Sequence, residues 1–545
     1  MPGSRLAERC VIPSNPITAA TARAAGYDNP AMVLLFRRYG ESYRWWVAAA
    51  GLLGSMTVVL SATVVNVAIP SVMGAFGVGQ DQAQWASTAF LSTMVAAQLL
   101  NSWTSRALGP RVTFLAALAI FSVGGFVCAT SPTIEALIGG RILQGFGAGV
   151  IQPLVLSTVI AAFPAAQRGL AVGTVGMGIA LAPTFGPLAG GLAIDFFTWR
   201  HVFILPLPFV GLAALMGLAF MPARNPKERI PDFDWTGFAL VATALVSLMS
   251  VVGNGQRWGW DSDRTLIILL VGIISAAVFV GTQLRSENPL LDPALFLDTR
   301  FASAVIIAFA FGLGNFSTNY LIPLFVQTVQ GFTATKAGLV LVPAGIVLVV
   351  GLRAFGQLAD RVPQHWPIMA GCAFFAVAAM VMAKIDVNTA YLTIMVLAMS
   401  SRGAMSLISP NMGKAALSAV PPEKLAQGAG TFNFFRQLGG AFGVNLTALT
   451  LEMRTAYHAD VLAATQTVGT GATGEMLDRV RSLLHAGGVP SPADGALALD
   501  YLGRVIHAQA NIFAFHDAFV QIAVIFTVAL LPAYLLGRSR GRQTS

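Results

Sequence analysis

The sequence predicts an all-α integral membrane protein, and three observations predict it. Of 545 residues, 55% are hydrophobic and only 10% are charged, where a soluble domain carries about 25% charged residues. The mean hydropathy is +0.70. Apolar runs of the ~20 residues that a helix needs to cross a bilayer core recur along the whole chain. They fall near 46–70, 85–103, 112–131, 136–160, 169–193, 200–221, 235–253, 265–283, 301–325, 335–356, 367–384, 388–409, 426–450 and 514–536, fourteen candidate spans.

The net charge of +9 would suit a nucleic acid, but the basic residues are scattered over short loops and termini. The excess of Lys and Arg on cytoplasmic loops explains that pattern, so the partner is a lipid bilayer and not a nucleic acid. Residues 1–45 carry Arg5, Arg9, Arg23, Arg37, Arg38 and Arg44 with Pro13 and Pro16 and no long apolar core. They read as a cytoplasmic, mostly disordered arm, not a signal peptide. With that arm inside, the even-numbered loops are cytoplasmic and hold Arg106, Arg111, Arg168, Arg224, Lys227, Arg229, Arg285, Arg300, Arg361, Lys414 and Lys424. The tail, 538–545, adds Arg538, Arg540 and Arg542, so both termini are expected in the cytoplasm. Trp45, Trp46, Trp85, Trp103, Trp199, Trp235, Trp258, Trp260 and Trp366 fall at or near span ends, as an interfacial aromatic belt requires.

The stretch 140–191 is the centre of the chain. It places one cation, Arg141, inside an apolar run, and in the next span it sets Gly178, Ala182, Gly186 and Gly190 four apart. In lipid, a ridge of small residues lets helix backbones touch, because apolar burial gives no drive there. Pro183 and Pro187 are expected to bend that helix.

The strings in this stretch carry a family resemblance. Arg141-x-x-Gln144-Gly145-x-Gly147-x-Gly149 resembles motif B of the major facilitator transporters, and Ala182-Pro183-Thr184-Phe185-Gly186-Pro187-Leu188-Ala189-Gly190-Gly191 resembles motif C of their drug:proton antiporters. The first span, Leu60 to Pro70, resembles LDxTxxNVALP but has Ser61 where the intramembrane Asp belongs. The chain is similar, from about Trp45 to about Leu536, to the EmrB/QacA-type branch with fourteen helices.

The resemblance implies a major facilitator fold: a six-helix half at 46–222, two extra helices within 223–300, and a second six-helix half at 301–537. The segment 451–513 would be a long outward-facing loop, either a solvated amphipathic cap or a docking surface for a periplasmic partner. Gly109 and Arg111 after the second span, and Gly356, Asp360 and Arg361 after the tenth, stand where the cytoplasmic latch belongs. The function implied is export of a hydrophobic small molecule by alternating access and proton antiport from the inner membrane of a bacterium. A periplasmic adaptor and an outer-membrane channel are partners by analogy with Gram-negative members.

The residues refine that expectation. A serine can neither carry a proton at ordinary pH nor attract a cation, so Ser61 questions both proton coupling through the first span and a cationic substrate. The expected substrate site is Ser61, Asn66, Arg141, Gln144 and Gln152 on one side and Asn315, Asn319 and Arg402 on the other. Its arginines favour a weak acid or amphipathic anion. Arg141 also admits a structural reading, hydrogen-bonded to neighbouring carbonyls. Asp517 is the best remaining proton carrier, with His516 to tune it and Arg141 as a further coupling group; the alternative is an interfacial pair facing headgroups. Arg353 and Arg436 are further cations near membrane depth, and Arg436, in Asn433-Phe434-Phe435-Arg436-Gln437, reads as packing or gating.

Two rival functions remain open: a proton-independent uniporter or metabolite symporter of the same fold, and a non-transporting scaffold or sensor. The sequence contains no G-x-x-x-x-G-K-[ST], HExxH or GxSxG string, and Cys10, Cys128 and Cys372 are far apart. No enzyme, cofactor, metal or disulfide framework is expected.

Overall fold

The computed structural model describes residues 30–164, 167–224, 230, 232–286, 289–358, 362–421, 424–466 and 471–541. Arg361 and Asp360 of the expected latch lie outside the described residues. All regular structure among the described residues is helical. We number the fourteen main helices α1 (Ser42–Phe76), α2 (Trp85–Gln98), α3 (Pro110–Thr130), α4 (Ile134–Ala162), α5 (Arg168–Phe196), α6 (Leu207–Phe220), α7 (Trp235–Trp258), α8 (Asp263–Arg285), α9 (Thr299–Thr328), α10 (Leu341–Leu358), α11 (His365–Met382), α12 (Tyr391–Ser418), α13 (Leu425–Thr465) and α14 (Ser491–Val528). Among the described residues, eleven helical segments are long and apolar enough to cross a membrane. The other three expected spans coincide with α2, α5 and α13. Helix α2 stops after 14 residues and resumes at Asn101, and the apolar run of α13 is diluted by Asn433, Arg436, Gln437 and Asn445.

Two six-helix bundles result. In the first, α1 packs on α4, α5 and α6, and α4 packs on α2 and α3; in the second, α9 packs on α13, and α12 on α10 and α11. The extra pair α7–α8 lies outside both and packs, through α7, on α2 of one half and α13 of the other. The outer face of α8 keeps Leu266, Ile267, Leu270 and Ile274 exposed, as a helix facing lipid must.

Close approach of backbones explains the glycines. A Cβ on Gly145 or Gly149 would run into carbonyls of α2, at Phe90 and Met94, and one on Gly178, Gly186 or Gly190 would strike α1 at Leu52, Thr63 and Val64. The opposite side of α5 meets the second half: Gly191 lies against the Ala334 carbonyl, and Thr184 and Pro187 against Gly345 and Gly338. The expected small-residue ridge therefore exists, and α5 has two such faces.

The halves meet at a repeat. Asn66-Val67-Ala68-Ile69-Pro70 of α1 and Asn319-Tyr320-Leu321-Ile322-Pro323 of α9 share the pattern N-x-x-I-P. Asn66 Nδ2 donates to the Asn319 carbonyl at 3.4 Å. A bond between equivalent residues of two parallel repeats marks the axis that relates them. Near it, Gln327 donates to the Val67 carbonyl at 3.2 Å and Gln80 to the Tyr320 hydroxyl at 3.1 Å.

The segment 451–513 is helical over most of its length and not a simple loop. Helix α13 continues to Thr465, a separate helix spans Gly471–Ala486, and α14 begins at Ser491. The chain turns between the last two, where Gly488 takes a φ of 85°.

The glycine contacts yield a test. Gly312 of α9 abuts the Arg436 carbonyl of α13, whereas Gly413 of α12 has open space for at least 4 Å around the point where a Cβ would stand. Gly312→Leu is expected to lower the thermal unfolding midpoint in detergent, by at least the ~1–3 kcal/mol typical of overpacking, while Gly413→Leu leaves it unchanged.

Candidate functional site

A cavity of about 1520 Å³ separates the halves. It opens at the end of the bundle that carries Trp103, Arg106, Asp232, Phe233, Pro289 and Lys424, the end of the even-numbered loops. Towards the other end it stops at Thr63, Asn315 and Asn319, beside the crossing of α1 and α9. That crossing and a bond of 3.0 Å from Thr88 of α2 to Asn445 Oδ1 of α13 close it. Asn445 also donates to the Met249 carbonyl of α7 at 2.9 Å, so the extra helix pair is tied into the closed end.

Of the expected substrate residues, Gln152, Asn315, Asn319 and Arg402 line this cavity. Ser61, Asn66, Arg141 and Gln144 do not: all four are buried inside the first half or at the α1–α9 crossing. Arg141 has no exposed surface. It donates through Nε to the Ala86 carbonyl at 2.6 Å and through Nη1 to Ser61 Oγ at 2.9 Å and Gln144 Oε1 at 2.8 Å. Its guanidinium sits 4.1 Å from the centre of the Phe90 ring, a cation–π contact. The structural reading of Arg141 is the one its geometry supports. The helix face of Arg141 and Gly145, expected in the substrate site, packs on α2 instead. Gln152 shares nearly the same azimuth but lies eleven residues on, about 16 Å along the axis, where the bundle has opened.

The cavity is asymmetric. The wall of the second half holds Arg402 and also Arg436, which the sequence assigned to packing or gating. Arg402 donates to Asn315 Oδ1, to Thr318 Oγ1 at 3.4 Å and towards Met405 Sδ at 3.4 Å. Arg436 donates to Asn433 Oδ1 at 2.7 Å, and Asn433 in turn donates to Gln98 Oε1 at 2.9 Å across the cavity. The facing wall is neutral at depth, with Gln98, Gln152, Thr63 and Thr184 among apolar side chains such as Val59, Leu156 and Ile179. Gln98 Nε2, Thr184 Oγ1, Thr431 Oγ1 and Gln437 Oε1, all of cavity-lining residues, are buried without a protein partner. Among the described residues, carboxylates line only the mouth: Asp234 caps Gly237 N and accepts from Gln283, and Asp292 pairs with Lys424 at 2.6 Å.

The expected tuning of Asp517 by His516 is corrected. Adjacent residues on a helix diverge by about 100°, and His516 bonds the Ile385 carbonyl at 2.6 Å. Asp517 instead pairs with Arg454 and with His458, at 2.8 Å for the latter, and does not line the cavity. The motif of α5 is placed partly in the wall: Pro183 lines the cavity, Ala182 and Gly186 are buried, and Pro187, Gly190 and Gly191 pack as described above. Gly109 takes a φ of 84° and lies against the Arg224 backbone, while Arg111 donates to the Met221 carbonyl at 2.8 Å. Arg111 thus braces the first half, and Gly109 abuts the start of the segment that leads to α7. Among the described residues nothing lies within 4 Å of where a Cβ on Gly356 would stand, and Arg353 is exposed and outside the cavity.

Comparison with known proteins agrees with this geometry. Residues 51–444 match the sequence profile described as Major Facilitator Superfamily. The chain is 28% identical to the multidrug export protein EmrB of Escherichia coli K12 over 73% of its length and 78% of that protein's. It is 29% identical to the lincomycin resistance protein LmrB of Listeria monocytogenes over 78% and 89%. A crystal structure of a bacterial homolog of the human lysosomal transporter Spinster, inward-facing and unoccupied, superposes with a TM-score of 0.61 at 15% identity, covering 91% of this chain and 97% of the other.

Because Ser61 holds Arg141 and does not reach the cavity, stability and binding should separate. Ser61→Ala leaves a buried guanidinium donor unmatched, at a cost of about 1–3 kcal/mol. A lowered unfolding midpoint with ligand affinity within twofold of wild type is the expected outcome.

Proposed function

Because the chain belongs to the major facilitator superfamily, we propose that it exports an amphipathic anion from the bacterial cytoplasm across the inner membrane by alternating access, with both termini cytoplasmic. The observation that carries this reading is the sign of the cavity. Arg402 lines it, nearly buried, and takes part in none of the ion pairs among the described residues. A charge at membrane depth needs a partner or a polar cavity, and an acidic substrate supplies one. The apolar wall opposite takes the hydrophobic body. Relatives named for multidrug export and lincomycin resistance support a small-molecule cargo moved outward.

The drive for export has two readings. Proton antiport would rest on Asp517 with Arg454 and His458, at the far end of the second half. The proton-independent reading is favoured by one observation: Arg141 is satisfied by Ser61, Gln144 and a carbonyl, with no carboxylate among its described partners to load and unload a proton. Nor is a proton required thermodynamically. An anion leaving a cell with a negative interior moves downhill by about 2.3 kcal/mol per charge for each 100 mV.

Inverted membrane vesicles test both parts. Uptake of a hydrophobic weak acid is expected to follow an imposed potential, to leave an imposed pH gradient standing, and to be unaffected by Asp517→Asn. Arg402→Gln is expected to weaken binding of the acid about tenfold or more, the worth of a charge-assisted hydrogen bond of roughly 1.5–3 kcal/mol. Collapse of the pH gradient on addition of the acid, abolished by Asp517→Asn, would establish antiport instead. Tight competition by a lipophilic cation would remove the anion reading.

A further inference from the structure

The anion reading rests on Arg402, but the same wall holds a second cation. Arg436 lies on α13, and its backbone is pinned where Gly312 of α9 meets its carbonyl. Its side chain lines the cavity. There its guanidinium donates to Asn433 Oδ1, and Asn433 is fixed as the acceptor because its amide nitrogen is committed to Gln98. A guanidinium has five N–H donors, so this one bond orients Arg436 and leaves donor capacity facing the space between the halves. Arg402 is oriented in the same manner by Asn315 and Thr318 on α9. Neither arginine belongs to an ion pair among the described residues.

Two cations therefore share the depth of the cavity and face a wall that is neutral there. Like charges repel each other, and a monoanion compensates only one of them. We infer that the cavity is built for an amphiphile with two acidic groups, one held by Arg402 and the other by Arg436. Its apolar body lies on the opposite wall, against Val59, Leu156 and Ile179. The volume of about 1520 Å³ exceeds the 300–1,000 Å³ typical of ligand pockets, so a substrate with two separated charged ends has room. The amide bridge from Asn433 to Gln98 joins α13 to α2, so an acidic group on Arg436 would sit beside a contact between the halves. This inference deepens the anion reading and depends on it.

Three matched probes decide it: one hydrophobic body carrying no, one or two carboxylates, measured by equilibrium binding to the purified full-length chain in liposomes. The diacid is expected to bind at least tenfold more tightly than the monoacid. Arg436→Gln is expected to erase that difference while leaving the monoacid within threefold of wild type, Arg436→Lys to retain most of it, and Arg402→Gln to weaken both acids. Equal binding of the two acids by the wild-type chain overturns the inference, and this comparison needs no variant to fold. Arg436→Gln weakening both acids equally overturns it too, since Arg436 would then merely hold the wall in shape. If the neutral probe binds as well as either acid, the anion reading falls with it. If the monoacid alone is preferred over the neutral probe, that reading stands and only the second site is lost.

Discussion

A bilayer interior tolerates no polar group that the protein does not satisfy, and three arginines show how this chain meets that constraint. Arg141 is closed in by neutral acceptors from α1, α2 and its own helix, with the Phe90 ring at its face. It has become part of the first half's interior, a polar rivet through helices that apolar burial alone would not hold together. Arg402 and Arg436 are oriented by amides but left facing the cavity. The same residue type thus fastens one half and gives the space between the halves its sign.

The fastening within each half and the joint between halves use different physics. Inside a half, glycines such as Gly145 and Gly149 bring helix backbones into contact over several turns, and such packing is rigid. Across the axis, the polar contacts near the closed end are single hydrogen bonds, among them Asn66 to Asn319, Gln327 to Val67, Gln80 to Tyr320 and Thr88 to Asn445. Interhelical bonds of this kind contribute about 0.6 kcal/mol on average, so each costs little to break. Helix α5 is the exception, close-packed on both sides, on α1 through Gly186 and Gly190 and on the second half through Gly191.

The extra pair α7–α8 does not simply fill space. Met249 of α7 accepts from Asn445 at the point where α2 and α13 touch. At the other end, the segments that flank the pair bring Asp234 and Asp292 to the mouth of the cavity. A pair of helices outside both bundles therefore reaches both ends of the pathway, and it does so along the α2–α13 seam, opposite the close-packed α5.

Much of this architecture was legible in the sequence, for a physical reason. In lipid the apolar run is itself the helix, because no other backbone arrangement satisfies its own hydrogen bonds; hydropathy therefore determined the spans, and glycine spacing determined the ridge on α5. The repeat N-x-x-I-P at Asn66 and Asn319 was also there to be read, and it marks the axis. What the sequence could not decide was the direction in which a polar side chain inside a span points. Arg141 and Arg436 look alike as single cations in apolar runs, yet one is sealed within a half and the other lines the cavity. Gln144 and Gln152 sit on the same helix, and only the second faces open space. His516 and Asp517 are neighbours in sequence and partners of different elements in the fold. Direction depends on the rotation and depth of each helix against its neighbours, which backbone contacts from other parts of the chain set, and those contacts exist only once the tertiary structure has formed.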